Sequence, residues 1–145
     1  MCFTGTWLKS DTADNLLVNS LDYSVYRHDR FPESCGGGVC ILLNNRRVTA
    51  VQIPIPTSYN NVELIAVDLL NCSTGVRLFV CYRPPGHDND PFAKAYIYNL
   101  CACVESLMPR NSTIIICGDL NFPSIDWTNI DPILSASDIR VLVFL

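Results

Sequence analysis

Apolar residues fall in short runs divided by polar and turn-forming residues, a rhythm that predicts strands more than helices. Val39–Leu43 follows three consecutive glycines, Gly36, Gly37 and Gly38. Val48–Ile53 ends at Pro54, which cannot continue a ladder. Val62–Leu70 and Val76–Tyr82 flank a turn-rich spacer that ends in Thr74 and Gly75, a spacing expected of neighbouring strands. Thr113–Cys117 is apolar throughout and bounded by polar residues, as in a strand buried on both faces.

One stretch has helical periodicity instead. Phe92, Tyr96, Leu100, Cys103 and Leu107 recur at spacings of four, four, three and four, which makes one apolar stripe. Asp90 is placed to cap this helix, Pro91 suits its first turn, and Pro109 ends it. A second, weaker helix is expected over Ala13 to Ser20. Strands followed by a helix and a further buried strand predict an α/β or α+β sandwich with a mixed sheet.

The 145 residues, 49% of them hydrophobic, allow one domain with a real core and not two. Charged residues are only 17%, which argues against disorder. The net charge of −4 is not the basic footprint of a simple nucleic-acid binder, although a bound divalent ion can supply the positive charge such a site needs. Arg27, His28 and Arg30 cluster, as do Arg46 and Arg47; taken by themselves, both groups are expected to be solvated loops. The eight cysteines contain no C-x-x-C pair, so a zinc site has little support. Most are expected to be small buried hydrophobes, above all Cys40, Cys81 and Cys117, in a reducing compartment. Neither a signal peptide nor a membrane-spanning apolar stretch is visible.

Two strand ends carry the candidate chemistry. Thr113–Cys117 runs into Gly118-Asp119-Leu120-Asn121, where an extended segment would point Asp119 and Asn121 the same way. A carboxylate and an amide so placed can hold a water, a metal or a phosphate oxygen; a strand end followed by an Asx turn explains the same residues. Val76–Tyr82 runs into Tyr82, Arg83, Pro84 and Pro85, where a phenol and a guanidinium could meet a phosphate, or simply turn a corner. The three glycines lack the strand–loop–helix order of a phosphate cradle and are expected to let a loop turn tightly.

Taken in order, four stretches resemble the endonuclease domain of non-LTR (LINE-type, jockey-like) retrotransposons, within the endonuclease/exonuclease/phosphatase superfamily. Phe3-Thr-Gly-Thr-Trp-Leu8 is similar to its T-E-T-W-L segment. Tyr26-Arg-His-Asp-Arg30 with Gly36-Gly-Gly-Val39 is similar to Y-R-x-D-R…G-G-G-V. Val80-Cys-Tyr-Arg-Pro-Pro85 is similar to its Y-R-P-P corner. Ile116-Cys-Gly-Asp-Leu-Asn121, continued by Ile125-Asp-Trp127, is similar to G-D-(F/L)-N…I-D-W.

The resemblance implies a four-layer α/β sandwich, here incomplete, and hydrolysis of a DNA phosphodiester bond with Mg²⁺ or Mn²⁺. DNA is the implied partner, with no membrane and no obligate protein partner, and a nuclear location follows from the family. Asp119 would orient or deprotonate the attacking water, Asn121 would hold that water or the phosphate, and Tyr82 would bind a phosphate oxygen. Arg83, Arg27 and Arg30 would contact the phosphate backbone.

The sequence departs from that pattern in three places. Gly5 stands where the family has its metal-binding glutamate, so no metal ligand set is intact. The family's first strand has no counterpart before Met1. Its closing S-D-H segment is absent, since Ser137-Asp138 is followed by Ile139. Residues 1–138 then form a partial domain, and residues 139–145 an atypical tail, either frame-shifted or an apolar strand. His28 and His87 are expected in surface loops, and Asp126 and Trp127 in a packing role. The function implied is a weakened or inactive endonuclease fragment. The alternatives are a non-catalytic nucleic-acid-binding remnant and a phosphate-ester phosphatase of the same superfamily.

Overall fold

The computed structural model describes residues 1–30, 36–72, 74–86, 90–121 and the strand 141–144. His87, Asp126, Trp127, Ser137 and Asp138 lie outside the described residues, as does Cys35. The chain is an α+β sandwich. Strands β1 (Cys2–Thr4), β2 (Tyr23–His28) and β3 (Val39–Asn44) form an antiparallel sheet in the order β1-β3-β2. A larger mixed sheet takes the order β4-β5-β6-β7-β8, from Ala50–Ile53, Glu63–Leu69, Val76–Tyr82, Thr113–Asp119 and Val141–Phe144. Helix α1 (Pro91–Ser106) connects β6 to β7.

Strand β5 is apolar at nearly every position because both of its faces are covered. Ile65 and Val67 join Leu78, Val80, Val39 and Ile41 in a core between the two sheets. Leu64 and Ala66 join Phe79, Cys81, Ile114, Leu100, Cys103 and Val104 in a second core beneath α1. The described residues therefore stack in three layers, sheet on sheet on helix. Burying each such side chain contributes roughly 1.5–3 kcal/mol, which makes β5 and β6 the strands least able to accept a polar residue.

Strand β5 is antiparallel to β4 and β6, whereas β6, β7 and β8 are mutually parallel. Parallel neighbours need a crossover, which α1 supplies. Asp90 caps it by accepting a hydrogen bond from the Phe92 N–H at 3.0 Å, as the sequence predicts. The buried stripe differs from the predicted one at its start. Phe92 is 85% exposed, and the packed face runs through Tyr96, Ile97, Leu100, Cys103, Val104 and Leu107. At the other end, Arg77 donates to the Leu107 carbonyl and forms a two-pronged pair with Asp68, Nε to Oδ1 at 2.6 Å and Nη2 to Oδ2 at 2.7 Å. A cation at the last turn satisfies carbonyls that the helix leaves open.

Several expectations are corrected. Ala13 to Ser20 holds only a 3₁₀ turn over Asp14–Leu16, because its apolar residues are consecutive and make no stripe. Arg27 and His28 lie in β2 and are half-buried, not in a solvated loop. Cys40, Cys81 and Cys103 are buried, but Cys117 is only half-buried, Cys2, Cys72 and Cys101 are exposed, and all seven described cysteines are free thiols. Part of the atypical tail forms β8, which pairs Val141 with Ile114. Among the described residues no helix is long and apolar enough to cross a membrane.

Candidate functional site

Because β6 and β7 run parallel, their carboxyl ends emerge at the same edge of the sheet. Glu63 pairs with Tyr82 across β5 and β6, and Tyr82 pairs with Asp119 across β6 and β7. Directly paired residues share a face, so the three form one row at the end of the inter-sheet core. Glu63 is buried, Tyr82 half-buried and Asp119 exposed. Crevices outside the carboxyl ends of parallel strands are where α/β sheets usually bind ligands.

Gly118 sets the position of Asp119. A Cβ on Gly118 would stand 1.8 Å from the Cys81 carbonyl oxygen, and its φ is 145°. The strand ends at Asp119. The Asn121 N–H donates to Asp119 Oδ1 at 3.1 Å, and Asn121 has φ 46°. This is an Asx turn, so the expected extended arrangement of Asp119 and Asn121 does not form. Asn121 instead clamps the neighbouring loop by donating from Nδ2 to the Arg83 carbonyl at 2.6 Å.

Arg83 completes that clamp. Its N–H donates to the Asp119 carbonyl at 2.8 Å, and its Nη1 to the carbonyls of Leu120, at 3.3 Å, and Asn121. At 2% exposure Arg83 sits under the corner, where the sequence placed it facing a phosphate. The physical reason is that loop carbonyls without ladder partners need donors, and a buried guanidinium needs acceptors.

Arg30 reaches the row, and Arg27 does not. Arg30 Nε donates to Glu63 Oε1 at 2.6 Å, with Nη2 at 2.5 Å from the same oxygen. Its guanidinium lies 5.4 Å from the centroid of the Tyr82 ring, a cation–π distance. The Gly38 N–H donates to the other Glu63 oxygen. Gly38 can approach this closely because its φ is 87° and a Cβ there would meet Thr6 Oγ1 at 2.6 Å. Tight turning is the role the sequence suggested for these glycines. Arg27 pairs with Cys40 in β3, on the opposite face from Val39 and Ile41. There its Nε lies 3.2 Å from Asp14 and 3.6 Å from Asp29.

Two residues of the corner escaped sequence reasoning. Glu63 is one. A carboxylate at the head of an apolar strand was the available signal, since a buried charge must have a partner. Tyr96 of α1 is the other. Its hydroxyl accepts from the Glu63 N–H at 2.8 Å and donates to the Tyr82 carbonyl at 2.8 Å, so it joins the helix to both strands of the row. Burial pushes the Tyr96 phenol up, out of the ordinary tyrosine range. Tyr96→Phe should cost about 1–2 kcal/mol, because it strands a buried N–H and a buried carbonyl. A thermal melt unchanged by the substitution would count against that bridge.

A divalent ion such as Mg²⁺ needs several oxygen ligands, one or two of them usually carboxylates. Asp119 offers one exposed carboxylate, while both oxygens of Glu63 are already engaged by Arg30 and Gly38. Gly5 has no side chain, and its φ of 59° is a backbone state that a glutamate rarely adopts. Among the described residues no group of three or more His, Cys, Asp or Glu side chains could hold a metal. The described donor set does not fit the ion that the family resemblance implies.

No protein-family model matches this chain, and no curated protein matches it. Among solved structures it is similar to a humanized D. rerio TDP2 carrying 14 mutations, with 16% identity and a TM-score of 0.49 over 77% of this chain and 45% of that one. It is also similar to D. rerio TDP2 complexed with a single-strand DNA product, with 16% identity and a TM-score of 0.47 over 75% and 43% of the respective chains. Both are partial likenesses of chain path, and this chain spans less than half the length of either structure.

Proposed function

We propose that the chain is part of a DNA phosphodiesterase domain of the non-LTR retrotransposon endonuclease kind, weakened or inactive in catalysis. The observation that carries this reading is the row at the carboxyl ends of β6 and β7, where Tyr82 and Asp119 are register partners. Two segments singled out for their chemistry, far apart in sequence, meet there. In this reading the Tyr82 hydroxyl donates to a phosphate oxygen, and the Arg30 guanidinium over its ring adds positive charge. The Asp119 carboxylate orients the attacking water, and Asn121 holds that carboxylate through its main-chain N–H. Arg83 positions the loop from beneath.

The second reading, a non-catalytic DNA-binding remnant, is favoured by Gly5 and by the described residues, which offer no group of three or more metal-binding side chains. Nicking of supercoiled plasmid by the purified chain, with Mg²⁺ or with EDTA, separates the two. DNA binding with nicking near background is the expected result. Whatever metal-dependent nicking rises above background should drop to background in Asp119→Ala, since removing a general acid or base costs about 100-fold or more. Robust nicking that disappears in Asp119→Ala would overturn the view that catalysis is weakened. Absence of DNA binding would overturn the DNA assignment, and turnover of a small phosphate monoester would then favour the phosphatase alternative.

A further inference from the structure

Trp7 is a bulky aromatic residue left 68% exposed. Its φ is 57°, in the left-handed region that such side chains rarely enter. Backbone in that state persists where its surroundings impose it, and it gathers at sites that hold ligands. Here the surroundings are the three-glycine loop. The Trp7 N–H donates to the Gly37 carbonyl at 3.0 Å, and a Cβ on Gly36 would lie 3.3 Å from the indole ring. The ring is thus fixed by its backbone and by one edge, with much of its surface open to water.

The same loop carries the candidate site on its other side. A Cβ on Gly37 would stand 2.3 Å from the Arg30 guanidinium, and the Gly38 N–H holds Glu63. Arg30 in turn lies over Tyr82. The order in space is indole, glycine loop, guanidinium and phenol, with Asp119 as the register partner of that phenol. A DNA strand with one phosphate at Tyr82 and Asp119 that continued along this order of contacts would run toward the indole.

We propose that Trp7 is the stacking platform for an unpaired nucleobase of that DNA strand, an inference that rests on the corner being DNA-facing. Every base has a π face, so such a platform tolerates sequence and favours single-stranded or locally opened DNA over a closed duplex. Indole and base together remove apolar surface from water that the free chain leaves exposed.

The test is titration of the purified chain with a labelled dT oligonucleotide and with a fully paired duplex. Trp7→Ala should weaken oligonucleotide binding by about 10- to 100-fold, the scale of one lost aromatic stack. Trp7→Phe should recover most of that loss and Trp7→Leu should not, because leucine is apolar but has no π face. Duplex affinity should change far less in all three. Tryptophan emission should be quenched by the oligonucleotide in the parent chain and much less in Trp7→Phe, where Trp127 is the remaining indole. A circular dichroism melt of each variant shows whether the fold survives; if Trp7→Ala does not fold, the Phe and Leu pair decides. Oligonucleotide affinity that is the same in Trp7→Leu and Trp7→Phe overturns the platform and leaves the site reading standing. No DNA binding by the parent chain overturns both.

Discussion

Gly118→Ala should leave a chain that does not reach its folded state. The added methyl would sit 1.8 Å from the Cys81 carbonyl oxygen, 2.8 Å from its carbon and 3.0 Å from the Cys81 nitrogen. All three are backbone atoms, so no rotamer change can relieve the overlap. Cys81 and Gly118 are register partners in the parallel ladder between β6 and β7, and Cys81 is almost wholly buried. Relief would require the central strands to separate, at the point where both cores meet and where Asp119 is delivered. A φ of 145° adds backbone strain for any residue with a Cβ. Such an overpacked and strained site should cost more than about 4 kcal/mol, against a typical total stability of roughly 5–15 kcal/mol. Gly5→Ala is the natural control. Its Cβ meets nothing within 4 Å, so only the φ of 59° opposes it, at a cost of about 1–2 kcal/mol. Urea unfolding followed by circular dichroism would compare them. Similar midpoints for the two variants would show that the strand approach at Gly118 is looser than described.

Five strands are legible in the sequence, the largely apolar β3, β5, β6 and β7 together with β4 at the edge of the sheet. The pattern predicts Val76–Tyr82 with its true limits, and β3, β5 and β7 within one or two residues, because each holds at least four consecutive apolar residues. Strand β2 was missed because Arg27 and His28 look solvated, and the neutralising partners Asp14 and Asp29 come together with Arg27 only in the fold. Strand β1 is three residues long and has no pattern to read. At the site, strand ends marked Tyr82 and Asp119, but which strands are neighbours is a tertiary property. So is the exchange of donors between Arg83 and Asn121, which turned an expected phosphate contact into a support beneath the corner. Glu63 is hard to single out for the opposite reason: it heads a strand whose centre, Leu64–Val67, is wholly apolar, and nothing in that pattern shows that its own position is buried.

Glu63→Gln should separate the stability of the corner from its chemistry. The carboxylate accepts from Arg30 through one oxygen and from the Gly38 N–H through the other. An amide of the same shape keeps one acceptor and turns an NH₂ donor toward whichever donor remains. Breaking a buried pair from one side commonly costs 3–5 kcal/mol, and the Arg30 side chain is 22% exposed, so about 2–3 kcal/mol is expected here. The guanidinium would also lose the contact that steadies it over Tyr82. Stability and oligonucleotide binding should therefore fall together. Replacing both partners, Glu63→Leu with Arg30→Met, removes both charges but leaves the Gly38 N–H without its carboxylate acceptor. That pair should recover part of the lost stability, since an apolar pair of similar volume often matches a buried ion pair, less the cost of the Gly38 N–H. It should not recover binding, because no positive charge then faces the phosphate beside Tyr82. Melts and oligonucleotide titrations on the three proteins would test this. If Glu63→Gln melts like the parent chain, the ion pair contributes nothing to stability. If the double variant also regains binding, Arg30 acts only as packing, and the electrostatic role proposed for it at Tyr82 is wrong.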